Sequence, residues 1–221
     1  MKHVDLFIFD LAGTTVIDDD RVLRSFVATV KAFDIDVDAA RLRSQMGWHK
    51  TKVFASLLED HNLDTVLAQA MAERFELEFE ALAASEPLCE TSGAGKALAA
   101  LEAGGVQIAF NTGFSRKTAD TVLAAMGWQR WPSVASNEVR AGRPAPDLIE
   151  AAMEQCGVND PSRVGVAGDT PSDLLAGDAA KTALNIGVGS GVYTLSQLSE
   201  YAHTHLLDDL TTLPEIVFGN D

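Results

Sequence analysis

The stretch Phe7-Ile8-Phe9-Asp10-Leu11-Ala12-Gly13-Thr14-Thr15 carries an apolar run into one carboxylate and then into a Gly-Thr-Thr turn. The run is continuous and not alternating, which suits a strand buried on both faces. It therefore predicts a first strand over 4–10 that delivers Asp10 to the edge of a sheet. Two residues later, where a second carboxylate would complete an acid/base pair, the chain has Ala12.

Runs of the same kind recur at "VQIAFNT" (106–112), "VGVAGD" (164–169), "TALNIGVG" (182–189) and "HLLDD" (205–209), with a weaker one at "PSVASN" (132–137). Between them, "SRKTADTVLAAMG" and "APDLIEAAMEQCG" read as helices, the first opening on a Ser and both closing on a Gly. Alternating strand and helix predict an α/β fold, a Rossmann-like parallel sheet with helices on both faces. The first connection breaks this rhythm, because everything between the first strand and Val106 reads as helical. Leu67, Met71, Phe75, Phe79 and Leu82 fall three or four apart and predict one apolar stripe on a long helix. Polar or Pro-containing stretches, "VIDDD" (16–20) and "ASEPLCETS" (84–92), bound this interval. The expected division is a core of residues 1–16 and 88–221 with an all-helical cap of residues 17–87 inserted.

The 221 residues are 47% hydrophobic, enough for one good core and a smaller second one. A formal charge of −15 argues against nucleic acid and anionic membrane surfaces as partners. No segment has the length and apolarity of a membrane span, and the N-terminal stretch reads as a strand and not a signal peptide. Cys89 and Cys156 have neither metal spacing nor a disulfide framework, so the expected compartment is cytoplasmic. An anionic small molecule would need a local cation to bind here, either a metal ion or placed Lys and Arg.

Ligands of an open α/β sheet bind beyond the carboxyl ends of its strands. The first strand brings Asp10, Gly13 and Thr14 there; the second brings Asn111, Thr112 and Gly113; the fourth brings Asp169 and Thr170, with Asp173 close behind. Arg143 lies between Gly142 and Pro144 ahead of the intervening helix. Each has an ordinary reading as a strand exit, a helix cap or a surface charge. Together they form a set suited to phosphoryl transfer. Two carboxylates can share Mg²⁺, which leaves its other positions to water and phosphate oxygens, and one carboxylate can attack phosphorus. Thr112, loop N–H groups and Arg143 can stabilise the equatorial oxygens.

Asp10 with its "GTT" turn, Thr112, Arg143 and the "GDTPSD" loop, in that order, resemble the four motifs of the haloacid dehalogenase (HAD) superfamily, with a helical cap inserted after the first motif. The resemblance spans essentially the whole chain. It implies that Asp10 is the nucleophile, that Thr112 and Arg143 hold the phosphoryl group, and that Asp10, Asp169 and the backbone carbonyl of Ala12 ligate Mg²⁺. Asp173, with Thr170, would support the metal loop. The substrate implied is a small phosphorylated or phosphonate molecule, and cap contacts in related enzymes leave room for a homodimer.

Most phosphatases of that superfamily have Asp where Ala12 stands. "DLAGTT" is instead similar to the phosphonoacetaldehyde hydrolases, or phosphonatases, which cleave a carbon–phosphorus bond with a cap lysine that forms an iminium with the aldehyde. The cap segment "SQMGWHKTKVF" has a similar Met-Gly-x-x-Lys context, which puts that lysine at Lys50. Its competing reading is a solvated lysine on a helix surface; Lys52 is read as surface. Met46 and Trp48 are candidates for the substrate side of the cap, against burial within it. The chain departs from the phosphonatase pattern at Val53, where that family has His, and at Phe114, where it has Tyr. Two alternatives remain on the same residues: a phosphatase for a small phosphomonoester, and a protein that binds a phospho-ligand without turnover.

Overall fold

The computed structural model of the protein describes residues 4–219. Six strands form one parallel sheet: β1 (Leu6–Phe9), β2 (Gln107–Thr112), β3 (Ser133–Ala135), β4 (Val164–Gly168), β5 (Leu184–Val188) and β6 (His205–Leu207), in the order β3-β2-β1-β4-β5-β6. Each expected strand is present, trimmed at its ends. β1 lies in the middle, buried along its whole length, and Phe7 and Phe9 are fully buried. Each such aromatic side chain stabilises the fold by about 1.5–3 kcal/mol.

The order of strands reverses at β1, the place where open sheets form a crevice. Register decides what meets there. Phe9 pairs with Phe110 of β2 on one side and with Ala167 of β4 on the other. Asp10, Asn111 and Asp169 therefore leave the sheet at one edge.

Four helices stand between β1 and the pre-β2 helix: α1 (Arg21–Ala32), α2 (Ala39–Arg43), α3 (Lys50–Asp60) and α4 (Ala68–Ser85). Phe26 of α1, Phe54 of α3 and Phe75 of α4 make their shared core, with ring centroids 4.7–6.5 Å apart. Met71, Phe75 and Phe79 of the expected stripe are buried. Leu67 is not: it is 39% exposed and sits in a short 3-10 turn, Thr65–Leu67, before α4 begins. The helix starts later than its apolar spacing suggests, so Leu67 points away from the stripe. Leu82 is half-buried.

Entry to and exit from these helices run side by side. Val16 bridges Glu90 in antiparallel fashion, Ile17 N–H donates to Cys89 O at 2.9 Å and Thr91 N–H to Thr15 O at 3.0 Å. Arg24 then grips Glu86 with both guanidinium ends, at 2.8 and 2.6 Å.

The remaining helices flank the sheet: α5 (Ala94–Ala103), α6 (Arg116–Met126), α7 (Asp147–Gln155), α8 (Pro171–Ala179), α9 (Leu195–Leu198) and α10 (Leu213–Phe218). The Ser115 hydroxyl accepts from Thr118 N–H at 3.4 Å to open α6. Gly127 and Gly157 follow α6 and α7 with positive φ, 71° and 68°, as helix-ending glycines do. Among the described residues, no helix is long and apolar enough to cross a membrane.

Candidate active site

Asp10 is 5% exposed at the end of β1. Arg143 reaches it from the loop ahead of α7, where Ala141 N–H donating to Asp147 Oδ2 at 2.9 Å helps fix the chain. Arg143 Nη1 lies 2.7 Å from Asp10 Oδ1 and 2.7 Å from Asp173 Oδ1. Its Nη2 donates to the backbone O and the side-chain Oδ1 of Asn111, at 2.9 and 2.5 Å. The arginine is buried, and its Nε has no partner. Asn111 thus acts on the arginine, and the structure does not bring its side chain to the cavity wall.

Asp169 is held by different groups. Thr14 Oγ1 donates to its Oδ1 at 3.3 Å and Val192 N–H to its Oδ2 at 3.0 Å. Gly13, at φ +87°, and Gly191 leave space that a Cβ would take from this carboxylate. A residue with a side chain at Gly13 would be strained in that conformation as well. Asp173, at the start of α8, accepts from Thr170 N–H at 3.0 Å and from Thr170 Oγ1 at 2.5 Å. Thr170 is the cap residue of α8, and both its N–H and its hydroxyl reach the first-turn acid.

Two carboxylates, Asp10 and Asp173, thus share one guanidinium, and a third, Asp169, stands close enough for its charge to be felt by all of them. Burial pushes the Asp10 carboxyl up to about 6, with Arg143 pulling it down and Asp173 pushing it further up. Asp169 is raised well above the ordinary carboxylate range, first by burial and then by repulsion from Asp10 and Asp173. This uncompensated negative charge fits a divalent cation. Among the described residues, no three acidic, His or Cys side chains form a complete metal cage, an arrangement Mg²⁺ does not need because it keeps several waters and takes one or two carboxylates.

Asp10, Ala12, Asp169, Thr112, Gly113 and Arg143 line a small cavity of about 30 Å³, closed from the helical side by Met46, Gly47 and Lys50. The two sides touch closely. A Cβ on Gly113 would lie 2.7 Å from Gly47 O, and Tyr193 Oη donates to Arg43 O at 3.3 Å. Thr112 Oγ1 accepts from Phe114 N–H at 3.1 Å, which shapes the turn after β2.

Lys50 is the first residue of α3 and is 7% exposed. Its Nζ sits 5.3, 5.1 and 5.2 Å from the ring centroids of Phe26, Phe75 and Phe114. Three aromatic faces attract a cation, yet burial dominates and pulls the amine down to about 8, with Asp10 and Asp18 acting against that fall. A cation at a helix N-terminus also opposes the helix dipole. This lysine is not placed for stability, and the solvated reading is excluded. Lys52 is exposed.

Trp48 does not line the cavity; it is half-buried against the hydrophobic core. Met46 is both buried and on the cavity wall. Asp18, Val22 and Val192 also line the cavity and were not singled out by the sequence reading. Asp18 belongs to the acidic run that reads as a linker, and its one sequence signal is a helix-entry pattern four residues before Val22. Val53, fully buried, serves the core of the helical segment.

The sequence model of the haloacid dehalogenase-like hydrolases matches residues 4–181. The chain belongs to that family and is a hydrolase, which sets aside a purely ligand-binding role. It is 29% identical over 220 residues to the phosphonoacetaldehyde hydrolase of Bacteroides fragilis, covering 92% of this chain and 82% of that protein. It is 30% identical over 218 residues to the phosphonoacetaldehyde hydrolase of Latilactobacillus sakei subsp. sakei, covering 89% of this chain and 80% of that one. Among solved structures, a hydrolase from Pseudomonas syringae superposes with a TM-score of 0.87 at 24% identity, over 96% of this chain and 97% of that one.

Proposed function

We propose that the protein cleaves the carbon–phosphorus bond of a small phosphonate bearing a carbonyl, of the phosphonoacetaldehyde type. One observation carries this reading. The cavity that holds Asp10 has a methyl group, Ala12, where a proton donor would stand, and facing it a buried amine, Lys50, brought down toward neutrality.

In this reading residues 17–87 act as a cap over a core of residues 1–16 and 88–221, and closure excludes water from the site. Lys50 Nζ condenses with the carbonyl carbon, releasing water and leaving an iminium. Asp10 attacks phosphorus in line, the carbon–phosphorus bond breaks, and its electron pair moves into the iminium to give an enamine. Water then releases phosphate from Asp10. Protonation of the enamine carbon and hydrolysis of the iminium free the aldehyde and Lys50. Ala12 serves this chemistry because the leaving carbon needs an electron sink and not a proton.

Arg143 holds Asp10 in place, and its unpartnered Nε is available to a phosphoryl oxygen. Thr112 and the Gly113 turn provide donors on the opposite side. Asp10, Asp169 and the Ala12 carbonyl would hold Mg²⁺, with Thr170 and Asp173 keeping the loop in shape. Mg²⁺ when bound neutralises charge on the transferring phosphoryl group. The −15 charge and the free thiols of Cys89 and Cys156 suit a cytoplasmic enzyme of small anions.

The test is borohydride trapping in the presence of phosphonoacetaldehyde and Mg²⁺, read by peptide mass spectrometry. A reduced two-carbon adduct on Lys50 is expected. Brisk hydrolysis of phosphomonoesters by Lys50→Met, with no adduct in the parent protein, would assign the chain to ordinary phosphatase chemistry instead.

A further inference from the structure

Asp18 stands at the entry to α1 with one carboxylate oxygen occupied and the other not. Its Oδ1 accepts from Val22 N–H at 3.0 Å. Its Oδ2 is buried without any hydrogen-bond partner, although the residue is only 7% exposed. A carboxylate oxygen in that condition costs the fold about 1–3 kcal/mol or more. The bond from Val22 N–H does not account for it, since that bond uses one oxygen and a side chain with a single acceptor would serve.

The neighbouring arginine does not resolve the charge. Arg21 donates to Ile17 O at 3.4 Å and to Glu86 O at 3.3 Å and lies 3.8 Å from Glu86 Oε2. Asp18 instead lines the same cavity as Lys50 and Ala12. Burial is the largest influence on it and raises its pKa; Lys50 and Arg21 favour its ionised form, and Asp20 and, across the cavity, Asp169 oppose it. Among the described residues no carboxylate lies within the 4 Å of an ion pair of Lys50 Nζ, so amine and acid face the same cavity without touching. The cavity's 30 Å³ is room for one water or one substrate oxygen.

We infer that Asp18 is the proton shuttle for Lys50, resting on the carbonyl-phosphonate reading above: through one water in the shared cavity its free oxygen takes a proton from the lysine ammonium and returns it to the oxygen that leaves as water. The balance closes. Lys50 ammonium gives one proton to Asp18, and the neutral amine adds to the carbonyl carbon. The resulting carbinolamine nitrogen loses a second proton to its own oxygen. Asp18 then protonates that oxygen, and water departs. One ammonium and one aldehyde become one iminium and one water, with Asp18 ionised at start and finish. An acid that does not touch the amine suits this task, because the atom to be protonated lies two bonds from the nitrogen, across the carbinolamine carbon. An ionised Asp18 beside the cationic iminium also stabilises it.

Asp18→Asn isolates the role, since an Asn Oδ1 can keep the bond from Val22 N–H while the group loses its acid. The experiment measures the single-turnover rate of borohydride-trapped Lys50 adduct with phosphonoacetaldehyde across pH 6–9, alongside inhibition by inorganic phosphate. The expected result is at least a tenfold to hundredfold loss of trapping rate, unchanged inhibition by phosphate, and partial rescue by added formate in Asp18→Ala. Trapping by Asp18→Asn at the parent rate and with the parent pH profile overturns the shuttle while leaving the carbonyl-phosphonate reading intact. No adduct in the parent protein overturns both. A loss of trapping together with a lost thermal transition in Asp18→Asn assigns the residue to structure and also overturns it.

Discussion

A single nitrogen of Arg143, Nη1, lies 2.7 Å from Oδ1 of Asp10 and 2.7 Å from Oδ1 of Asp173. One cation therefore ties the end of β1 to the start of α8, and its second nitrogen ties both to Asn111 at the end of β2. Two strand ends and one helix start are fixed relative to one another by one side chain.

Arg143→Lys tests that arrangement. An ammonium can meet one or two of these oxygens but lacks the planar fork that spans all of them. The expected outcome is a fall in kcat of about a hundredfold, the usual effect of losing one preorganised donor, with the fold retained. Arg143→Ala leaves buried carboxylates uncompensated and is expected to cost about 3–5 kcal/mol in urea unfolding as well. Full activity in Arg143→Lys would show that the fork is unnecessary.

Lys50 makes a prediction about stability that runs against the usual effect of mutating a buried residue. Asp10, Asp18 and Arg143 face it through the cavity, the acids favouring its charge and the arginine opposing it, and burial still brings it from 10.5 to about 8. The unfolded lysine keeps its proton up to about 10.5, so between about 8 and 10.5 the unfolded state binds more protons and stability rises with pH. Below about 8 the folded protein carries the full penalty of a buried ammonium. Lys50→Met is therefore expected to stabilise the protein at pH 7 by about 1–3 kcal/mol, with the gain shrinking toward pH 9.5. Urea melts of both proteins at the two pH values decide it; a destabilised variant at pH 7 contradicts the account.

Much of this was legible in the sequence, and the gaps have physical causes. Continuous apolar runs marked the four inner strands because a parallel sheet hides both their faces, while the short edge strands β3 and β6 are partly exposed; strand ends then located Asp10, Asn111, Thr112 and Asp169 together. The burial of Lys50 was not legible, since it depends on Phe26, Phe75 and Phe114, which come from three distant places in the chain. Phe114 departs from the related pattern, yet its ring is part of the wall against that amine. Asp18 was hidden by composition: in "VIDDD" an acidic run reads as solvated linker, and only the fold shows that the first of the three turns inward while Asp19 and Asp20 stay exposed. Leu67 fell outside the stripe for a simpler reason, a one- or two-residue uncertainty in where a helix begins, which rotates a side chain to another face.

Divalent metal offers a prediction that does not depend on turnover. Asp10 and Asp169 repel each other in a buried site, so an added cation should relieve the repulsion. Mg²⁺ at a hundred times its Kd is expected to stabilise the folded protein by about 2.7 kcal/mol, seen as a rise in Tm that EDTA reverses. Asp169→Asn should begin more stable without metal and respond little to it. An equal Mg²⁺ response in that variant would place the cation elsewhere.

Gly113 separates closure from chemistry. It has no unusual backbone angle, so alanine is compatible with its conformation, but the added Cβ would lie 2.7 Å from Gly47 O and 3.2 Å from Trp48 O. Both are backbone atoms of the segment leading into α3, and they can move away only if that segment moves. Gly113→Ala should therefore hold residues 45–49 off the strand ends and carry Lys50, the first residue of α3, away from Asp10. Displacement of about 1 Å costs on the order of a hundredfold in rate for a reaction that needs both groups. The expected signature is a large loss in kcat/KM and in Lys50 trapping, with Tm within a few degrees of the parent and the Mg²⁺ response of Asp169 preserved. Parent-level trapping by Gly113→Ala would mean that chemistry does not require this close contact, and a lost Mg²⁺ response would mean that the damage lies in the strand-end loops.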